Sequence, residues 1–128
     1  MSTYTTQETE KTPAIHFDGV GGKLELKGKS VPEDSFKFFQ PMHDWLDQYI
    51  ENPAKETELN VALEYFNTSS AKVLLEVFKK MNRLHQSGKT QLTINWVYEE
   101  DDDDMLEAGQ DYQSIVEVPM NFVAIDSF

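Results

Sequence analysis

A run of hydroxyl side chains in the middle of the sequence is the feature best able to carry regulatory chemistry. The segment Asn67-Thr68-Ser69-Ser70-Ala71-Lys72 lies where an alternating strand pattern changes to a helical one. Asn, Thr and Ser are favoured N-cap residues, because their side-chain oxygens accept from free backbone N–H groups at a helix start. Capping explains one or two of these residues, but it does not require three consecutive hydroxyls. A phosphoacceptor is the second interpretation, since a phosphate here would lie at the positive helix end and add about −1.5 to −2 charge.

The acidic run Glu99-Glu100-Asp101-Asp102-Asp103-Asp104 is the second chemical feature. Carboxylates bind hard cations, but the interleaved ligands and fixed glycine of a calcium loop are missing. Contiguous aspartates point in different directions, so a solvated loop that places negative charge at a helix start is the favoured interpretation. Docking into a basic groove of a partner protein is left open.

Other catalytic candidates lack a supporting motif. His16, His43 and His85 are spread along the chain without metal-ligand spacing. No Gly-x-Ser-x-Gly elbow, Ser-x-x-Lys pattern or phosphate-binding glycine loop accompanies Thr68. A small enzyme that uses Thr68 with a histidine is therefore disfavoured, and neither a metal nor a cofactor is expected.

Charge and composition exclude several classes of function. The 128 residues carry 11 Lys and Arg against 23 Asp and Glu, a formal net charge of −12. Solubility is the favoured interpretation of this charge, and steering toward a basic protein partner is the alternative. Arg83 is the one arginine and the lysines are scattered, so no nucleic-acid surface or anionic-membrane surface is expected.

The sequence also bears on location. No apolar run approaches the roughly 18 residues of a membrane span, and the polar N-terminus lacks the pattern of a signal peptide. The absence of cysteine excludes disulfides and thiolate metal sites and fits a reducing compartment. A cytoplasmic protein is expected.

Periodic patterns predict a single α/β domain in the order β-β-α-β-α-β-α-β, with a mixed sheet and helices packed against it. Residues 1–12 are predicted to form a mobile arm and residues 13–128 the domain. The first helix is predicted to open within Ser30–Asp34, with Pro32 at its first helical position. It is expected to have a buried stripe beginning at Phe36 and a kink or restart at Pro41. The strand around Leu59–Phe66 has a second, partly apolar face, which predicts a central strand covered on both sides. The other predicted strands lie near Ala14–Phe17, Lys23–Lys27, Leu92–Tyr98 and Val118–Ile125, and the other helices run from the hydroxyl run to Gly88 and from Met105 to Ile115.

Three segments together resemble the SiaC family of bacterial regulatory phosphoproteins. They are Gly28–Asp34 (GKSVPED), Glu64–Lys72 (EYFNTSSAK) and Trp96–Asp102 (WVYEEDD). The Tyr-Phe-Asn-Thr-Ser-Ser part is specific, whereas the other two segments would be weak alone. Their spacing and the total length also agree, and the likeness covers nearly everything after the N-terminal arm.

The resemblance implies a switch without enzymatic activity, similar in layout to the STAS-type anti-sigma factor antagonists. It implies that Thr68 is the phosphoacceptor. The implied partners are a SiaB-type kinase, a SiaA-type PP2C-like phosphatase that needs a divalent metal, and a SiaD-type diguanylate cyclase. The unphosphorylated form is expected to bind and activate the cyclase, which raises cyclic di-GMP and favours biofilm or aggregation.

The hypothesis that joins this resemblance to the residues is a docking face around the strand-to-helix turn. Its predicted partner-binding residues are Asn67, Thr68, Ser69, Ser70 and Lys72. Ser69 and Ser70 are also expected to cap the helix, and Lys72 to hold the phosphate or pair with an acidic partner. An anti-sigma factor antagonist that acts on transcription is the alternative function from the same class.

Overall fold

A six-stranded mixed sheet forms the frame of the protein, and the structure, a computed structural model, describes residues 2–128. The strands are β1 (Thr3–Thr6), β2 (Ala14–Asp18), β3 (Lys23–Ser30), β4 (Glu56–Phe66), β5 (Gln91–Glu99) and β6 (Met120–Ile125). The helices are α1 (Ser35–Glu51), α2 (Thr68–Ser87) and α3 (Asp103–Gln113). The strands lie in chain order across the sheet. The predicted fold class, with helices packed against one mixed sheet, is confirmed.

The connections place the helices on one side of the sheet. Strands β1, β2 and β3 pair antiparallel, whereas β3, β4, β5 and β6 pair parallel. Each parallel pair is joined by one helix, and right-handed crossovers between successive neighbours bring all three helices to the same face. The prediction that β4 is covered on both faces is wrong, because its other face carries Glu58, Asn60 and Glu64, which are exposed or half-buried.

The uncovered face carries a ladder of polar side chains across three parallel strands. Asn60 and Asn95 each donate from Nδ2 to Glu58 Oε1 at 3.2 Å. Asn95 Nδ2 also donates to Asn60 Oδ1 at 2.6 Å, and Asn121 Nδ2 donates to Asn95 Oδ1 at 2.9 Å. These hydrogen bonds link β4, β5 and β6 side by side.

The covered face holds the core, which centres on Trp96 of β5. Trp96 is 1% exposed, and its Nε1 donates to Met105 O of α3 at 3.0 Å. The rings of Phe66, Phe78 and Tyr112 surround it at centroid distances of 6.3, 6.1 and 5.7 Å. Since these rings come from β4, α2 and α3, the indole joins the strand-to-helix junction of α2 to the third helix.

The N-terminal segment differs from the predicted mobile arm. Thr3–Thr6 forms an edge strand that pairs antiparallel with β2, with Tyr4 opposite Phe17. Trp45 Nε1 donates to the carbonyl oxygen of Ser2 at 3.2 Å, and Thr6 Oγ1 donates to Pro13 O at 3.2 Å. Threonine is β-branched and therefore suits a strand. The segment was not predicted as a strand because it lacks alternating apolar side chains and is held by backbone pairing with β2.

Most predicted helix and turn signals are found in place. Two expectations for α1 are corrected: the helix begins at Ser35 and not at Pro32, because Asp34 is the N-cap residue and accepts from Lys37 N at 3.0 Å, and it continues through Pro41 without a restart. Gly88 ends α2 with a φ of 71°, as the C-terminal cap expected from the sequence. β6 is an edge strand, with Pro119 directly before it. Among residues 2–128, no helix has both the length and the apolar character needed to cross a membrane.

Close packing of α3 on β5 gives a test of the fold. A Cβ atom on Gly109 would lie 2.7 Å from Trp96 Cδ1 and 2.9 Å from Phe122 Cε1. Gly109→Val should therefore lower the free energy of unfolding by about 1–3 kcal/mol through overpacking, measured by urea denaturation. Gln110→Val, at the exposed neighbouring position, should change it by less than about 0.5 kcal/mol. Equal effects of the two variants would contradict this packing.

Candidate functional site

The hydroxyl run lies at the edge of the sheet where parallel strands end and helices begin. α2 starts at Thr68, and Asn67 is its N-cap residue. Asn67 Oδ1 accepts from the backbone N–H of Ser70 at 2.9 Å, and Asn67 O accepts from the N–H of Ala71 at 2.9 Å. A single asparagine thus satisfies the cap, and the three hydroxyls that follow are not needed for it.

Two of those hydroxyls belong to a network that joins three elements. Ser70 is 1% exposed, and its Oγ lies 2.7 Å from Ser30 Oγ and donates to Ser30 O at 3.0 Å. Ser69 Oγ lies 2.7 Å from Ser35 Oγ and donates to Asn67 Oδ1 at 3.0 Å. The four serines connect the end of β3, the first residue of α1 and the first turn of α2, so they fix the position of the junction.

Thr68 is the exception within the run. Its side chain is exposed, and among residues 2–128 no hydrogen bond engages its hydroxyl. The first N–H groups of a helix have no partner within the helix, so a phosphate on this residue would meet unpaired N–H groups and the positive end of the helix dipole. Thr68 therefore differs from Ser69 and Ser70 in having an exposed hydroxyl without a hydrogen bond among residues 2–128.

The structure divides the predicted partner-binding residues into two groups. Ser69 and Lys72 are exposed beside Thr68, and Asn67 is half-buried. Ser70 cannot contact a partner, because its side chain is buried against Ser30. This part of the prediction is corrected: Ser70 lies on the inward side of the first helical turn and has a structural role.

Two grooves flank α2, and Thr68 lies at the rim of one of them. The groove between α2 and α3 has a volume of about 430 Å³ and is largely apolar; the groove between α1 and α2 has a volume of about 700 Å³. The α2–α3 groove is lined by Phe66, Thr68, Ala71, Lys72, Leu75, Ala108, Asp111, Tyr112 and Ile115. The α1–α2 groove is lined by Phe36, Gln40, His43, Asp47, Ser69, Lys72, Val73, Leu75, Glu76 and Lys80.

Phe36 differs from its predicted place in the buried stripe of α1. It is 77% exposed and lies at the α1–α2 groove. The buried stripe begins instead at Ser35, which reaches Ser69 and Ser70. Because successive helical residues are about 100° apart, burial of Ser35 turns Phe36 away from the core.

The α1–α2 groove contains a partly buried ion pair. Lys80 Nζ lies 2.8 Å from Asp47 Oδ1, and it donates to His43 O at 3.4 Å. Burial, reinforced by the positive charge of Lys80, lowers the pKa of His43. His43 Nδ1 is buried, and no residue among 2–128 forms a hydrogen bond with it. Burial in the groove therefore favours the neutral form of this imidazole.

Tyr112 ties α3 to the first turn of α2. Its hydroxyl donates to Ala71 O at 2.8 Å, and its ring stacks on Phe78 at a centroid distance of 4.7 Å. Burial raises the pKa of Tyr112 to about 12, with the charge of Asp111 as a second cause. Sequence reasoning missed this residue, because no local signal in the chain pairs a tyrosine with a carbonyl 41 residues away.

The acidic run belongs to the start of α3. Asp102 is the N-cap residue and accepts from Met105 N at 3.0 Å, and Asp103 and Asp104 lie in the first turn. This arrangement agrees with the predicted role of charging a helix start. Within residues 2–128, no group of three or more His, Asp or Glu side chains is placed to hold a metal ion.

Comparison with known proteins agrees with this geometry. Residues 6–125 match the family described as SiaC family regulatory phosphoprotein. A protein of Pseudomonas aeruginosa strain UCBPP-PA14, named only as uncharacterized, is 29% identical over 126 residues, which cover 98% of this chain and 99% of the relative. The chain belongs to the SiaC family of regulatory phosphoproteins, and the resemblance read from the sequence is confirmed.

Solved structures of the family show the same fold. Apo-SiaC of Pseudomonas aeruginosa superposes with a TM-score of 0.86 at 27% identity, over 97% of this chain and 100% of that chain. A chain in the crystal structure of diguanylate cyclase SiaD in complex with its activator SiaC, from the same species, superposes with a TM-score of 0.88 at 27% identity, over 95% of this chain and 99% of that chain.

The hydroxyl network predicts that Ser70→Ala and Thr68→Ala have unequal effects on the stability of the protein. Ser70→Ala leaves the buried hydroxyl of Ser30 without its hydrogen-bond partner and should lower the free energy of unfolding by about 1–3 kcal/mol. Thr68→Ala removes an unengaged hydroxyl and should change it by less than about 0.5 kcal/mol. Urea denaturation of both variants measures the difference, and a loss in Thr68→Ala as large as that in Ser70→Ala would show that its hydroxyl is bonded.

The raised pKa of Tyr112 predicts a loss of stability in alkali. Below pH 10.0, the usual pKa of tyrosine, this phenol is protonated in both the folded and the unfolded chain. Between pH 10.0 and about 12 the unfolded chain loses the proton first, so the free energy of unfolding should fall as the pH rises. In Tyr112→Phe the decline should be less steep. Identical pH profiles of the two proteins in denaturant titrations would contradict the assignment.

Proposed function

We propose that this chain is a non-enzymatic activator of a diguanylate cyclase, and that phosphorylation of Thr68 blocks its binding to that enzyme. Family membership supports a regulatory phosphoprotein. A chain of the same fold is found in the solved complex of the cyclase SiaD with its activator SiaC. The observation that carries the proposal is the exposed hydroxyl of Thr68 at the head of α2, which has no hydrogen bond among residues 2–128 and lies at the rim of the α2–α3 groove.

In the unmodified protein, Thr68 presents a small neutral surface. The apolar side chains of Phe36, Leu75 and Ile115 line the grooves on the two sides of α2. Burying such apolar surface stabilises a complex by roughly 25 cal/mol per Å² of area removed from water. A partner that covers α2 would also cover Thr68, since the residue stands on the rim of the α2–α3 groove.

Phosphorylation would oppose this docking without any change of fold. A doubly charged group must lose its water when the face is covered, and this costs several kcal/mol unless cations on the partner compensate. Each factor of ten in affinity corresponds to about 1.4 kcal/mol, so a cost of 3–4 kcal/mol is enough to abolish a complex of about micromolar strength. A single phosphate is thus sufficient to switch binding off.

The capping geometry supports a switch that leaves the fold of the domain unchanged. Asn67 caps α2 and Ser70 is fixed to Ser30, and neither contact involves the hydroxyl of Thr68. A phosphate at the first helical residue is favoured by the helix dipole. The switch then acts on the surface and leaves the core unchanged.

The proposal includes two further partners that the resemblance implies. A SiaB-type kinase would add the phosphoryl group to Thr68, and a SiaA-type PP2C-like phosphatase with a divalent metal would remove it. Both need access to the hydroxyl, and its exposure supports this requirement. Cytoplasmic location and the effect on cyclic di-GMP and biofilm stay predictions.

Calorimetry with the purified SiaD-type cyclase tests the switch. Thr68→Ala should bind like the unmodified protein and raise cyclase activity, whereas Thr68→Glu should weaken binding at least tenfold because a buried charge is left uncompensated. Gln7→Glu adds the same charge in the exposed loop after β1 and should leave the affinity unchanged.

Equal affinities of the Ala and Glu variants would discard the charge mechanism. Intact-mass analysis after incubation with the SiaB-type kinase supplies the second readout. A phosphoryl group should appear on the unmodified chain and be absent from Thr68→Ala. Its appearance on the variant would place the acceptor elsewhere.

A further inference from the structure

We propose that the cyclase segment that docks on this protein is an acidic amphipathic helix that lies along α2. This inference rests on the proposed function and specifies the chemistry of the partner. It starts from a stripe of exposed side chains on α2, here called the α2 stripe. The stripe consists of Thr68, Lys72, Glu76, Lys79 and Arg83.

The α2 stripe follows the surface of one helix face. Its members are spaced by three or four residues, the spacing that brings side chains onto the same side of a helix. At about 1.5 Å per residue, the distance from residue 68 to residue 83 is about 22 Å. A partner helix of about 15 residues would match this length, and Thr68 stands at one end of the contact.

The charge of this stripe is opposite to that of the rest of the protein. α2 carries three lysines and one arginine against a single glutamate, whereas the chain as a whole has a formal charge of −12. α1 carries one lysine against three acidic residues, and α3 carries four acidic residues and no basic one. Among the three helices, only α2 therefore has a net positive charge, and it lies between two acidic neighbours.

This pattern selects a narrow acidic partner segment. At physiological salt the Debye length is about 8 Å, so the local charge of α2 decides the contact more than the distant net charge does. A broad acidic surface would meet the carboxylates of α1 and α3. An α-helix with side chains is about 10–12 Å wide, which allows an acidic face to follow α2 without reaching both neighbours.

The grooves on both sides of α2 account for the amphipathic character. Phe36 is 77% exposed at the α1–α2 groove, and Leu75 lines both grooves. Apolar side chains of a docked helix would enter these grooves, in the manner of helix-in-groove recognition. Acidic side chains of the same helix would face Lys72, Lys79 and Arg83.

Phosphorylation acts directly on this charge pattern. Three cations and one carboxylate leave the stripe with a surplus of two positive charges. A phosphate of about −1.5 to −2 at Thr68 would cancel most of that surplus. Lys72 lies one helical turn from Thr68 and would face the phosphate instead of the partner. The modification thus removes the attraction for an acidic helix, in addition to its desolvation cost.

Charge reversal on the stripe, away from Thr68, tests the inference. The variant with both Lys79→Glu and Arg83→Glu should bind the SiaD-type cyclase at least tenfold more weakly in calorimetry at about 50 mM salt, and the difference should shrink in high salt. The control variant carries Lys11→Glu and Lys55→Glu, with the same change in net charge. Both of these lysines are exposed, without an ion pair among residues 2–128, and affinity should change less than about twofold.

Each other outcome has a definite meaning. Unchanged affinity of the stripe variant, or equal weakening in the control, would overturn the acidic-helix proposal while cyclase binding stands. Tighter binding of the stripe variant would also overturn it and identify a basic docking segment. Failure of the unmodified protein to bind any SiaD-type cyclase would overturn both this inference and the proposed function.

A comparison of Thr68→Asp with Thr68→Asn separates charge from shape, because the two side chains have nearly the same size. The Asp variant should bind more weakly than the Asn variant at about 50 mM salt, and the ratio of their dissociation constants should fall severalfold by about 500 mM salt. A ratio that does not depend on salt would show that attraction between the stripe and an acidic partner plays no part.

Discussion

The hydrogen-bonded serine network at the start of α2 is the constraint on which the remaining architecture of the site depends. Ser70 and Ser30 join the helix to the end of β3, and Ser35 and Ser69 join it to α1. Buried hydroxyls that satisfy one another hold the three elements in a fixed arrangement, because separating them would leave polar groups unpaired. Thr68 is thereby held at the surface with its hydroxyl unengaged.

Local chemistry made most of the fold predictable. Period-two apolar patterns marked β2, β3, β4 and β5, and turn and cap residues such as Gly88 marked the ends of helices. Long-range pairing was not predictable in the same way. β1 is held by backbone hydrogen bonds to β2 and by Trp45, so its polar side chains gave no apolar pattern to find.

The strand-to-helix junction that holds the consecutive hydroxyls was predictable from the sequence, and the phosphoacceptor among them stays a prediction. Only the fold shows that Ser70 is buried while Thr68 is exposed. Ser35 and Tyr112 contribute through hydrogen bonds to residues 34 and 41 positions away in the sequence. Phe36 is exposed because its neighbour Ser35 takes the inward position on α1. Such contacts follow from tertiary packing, which local sequence patterns do not encode.

The ladder of polar side chains on the uncovered face of the sheet constrains the alignment of three strands. Glu58, Asn60, Asn95 and Asn121 bond only when β4, β5 and β6 are correctly aligned, and a slip of one residue would bring Leu59 and Ile94 into water. Both faces of the sheet therefore specify the same strand register, the covered face through burial of apolar side chains and the uncovered face through these hydrogen bonds.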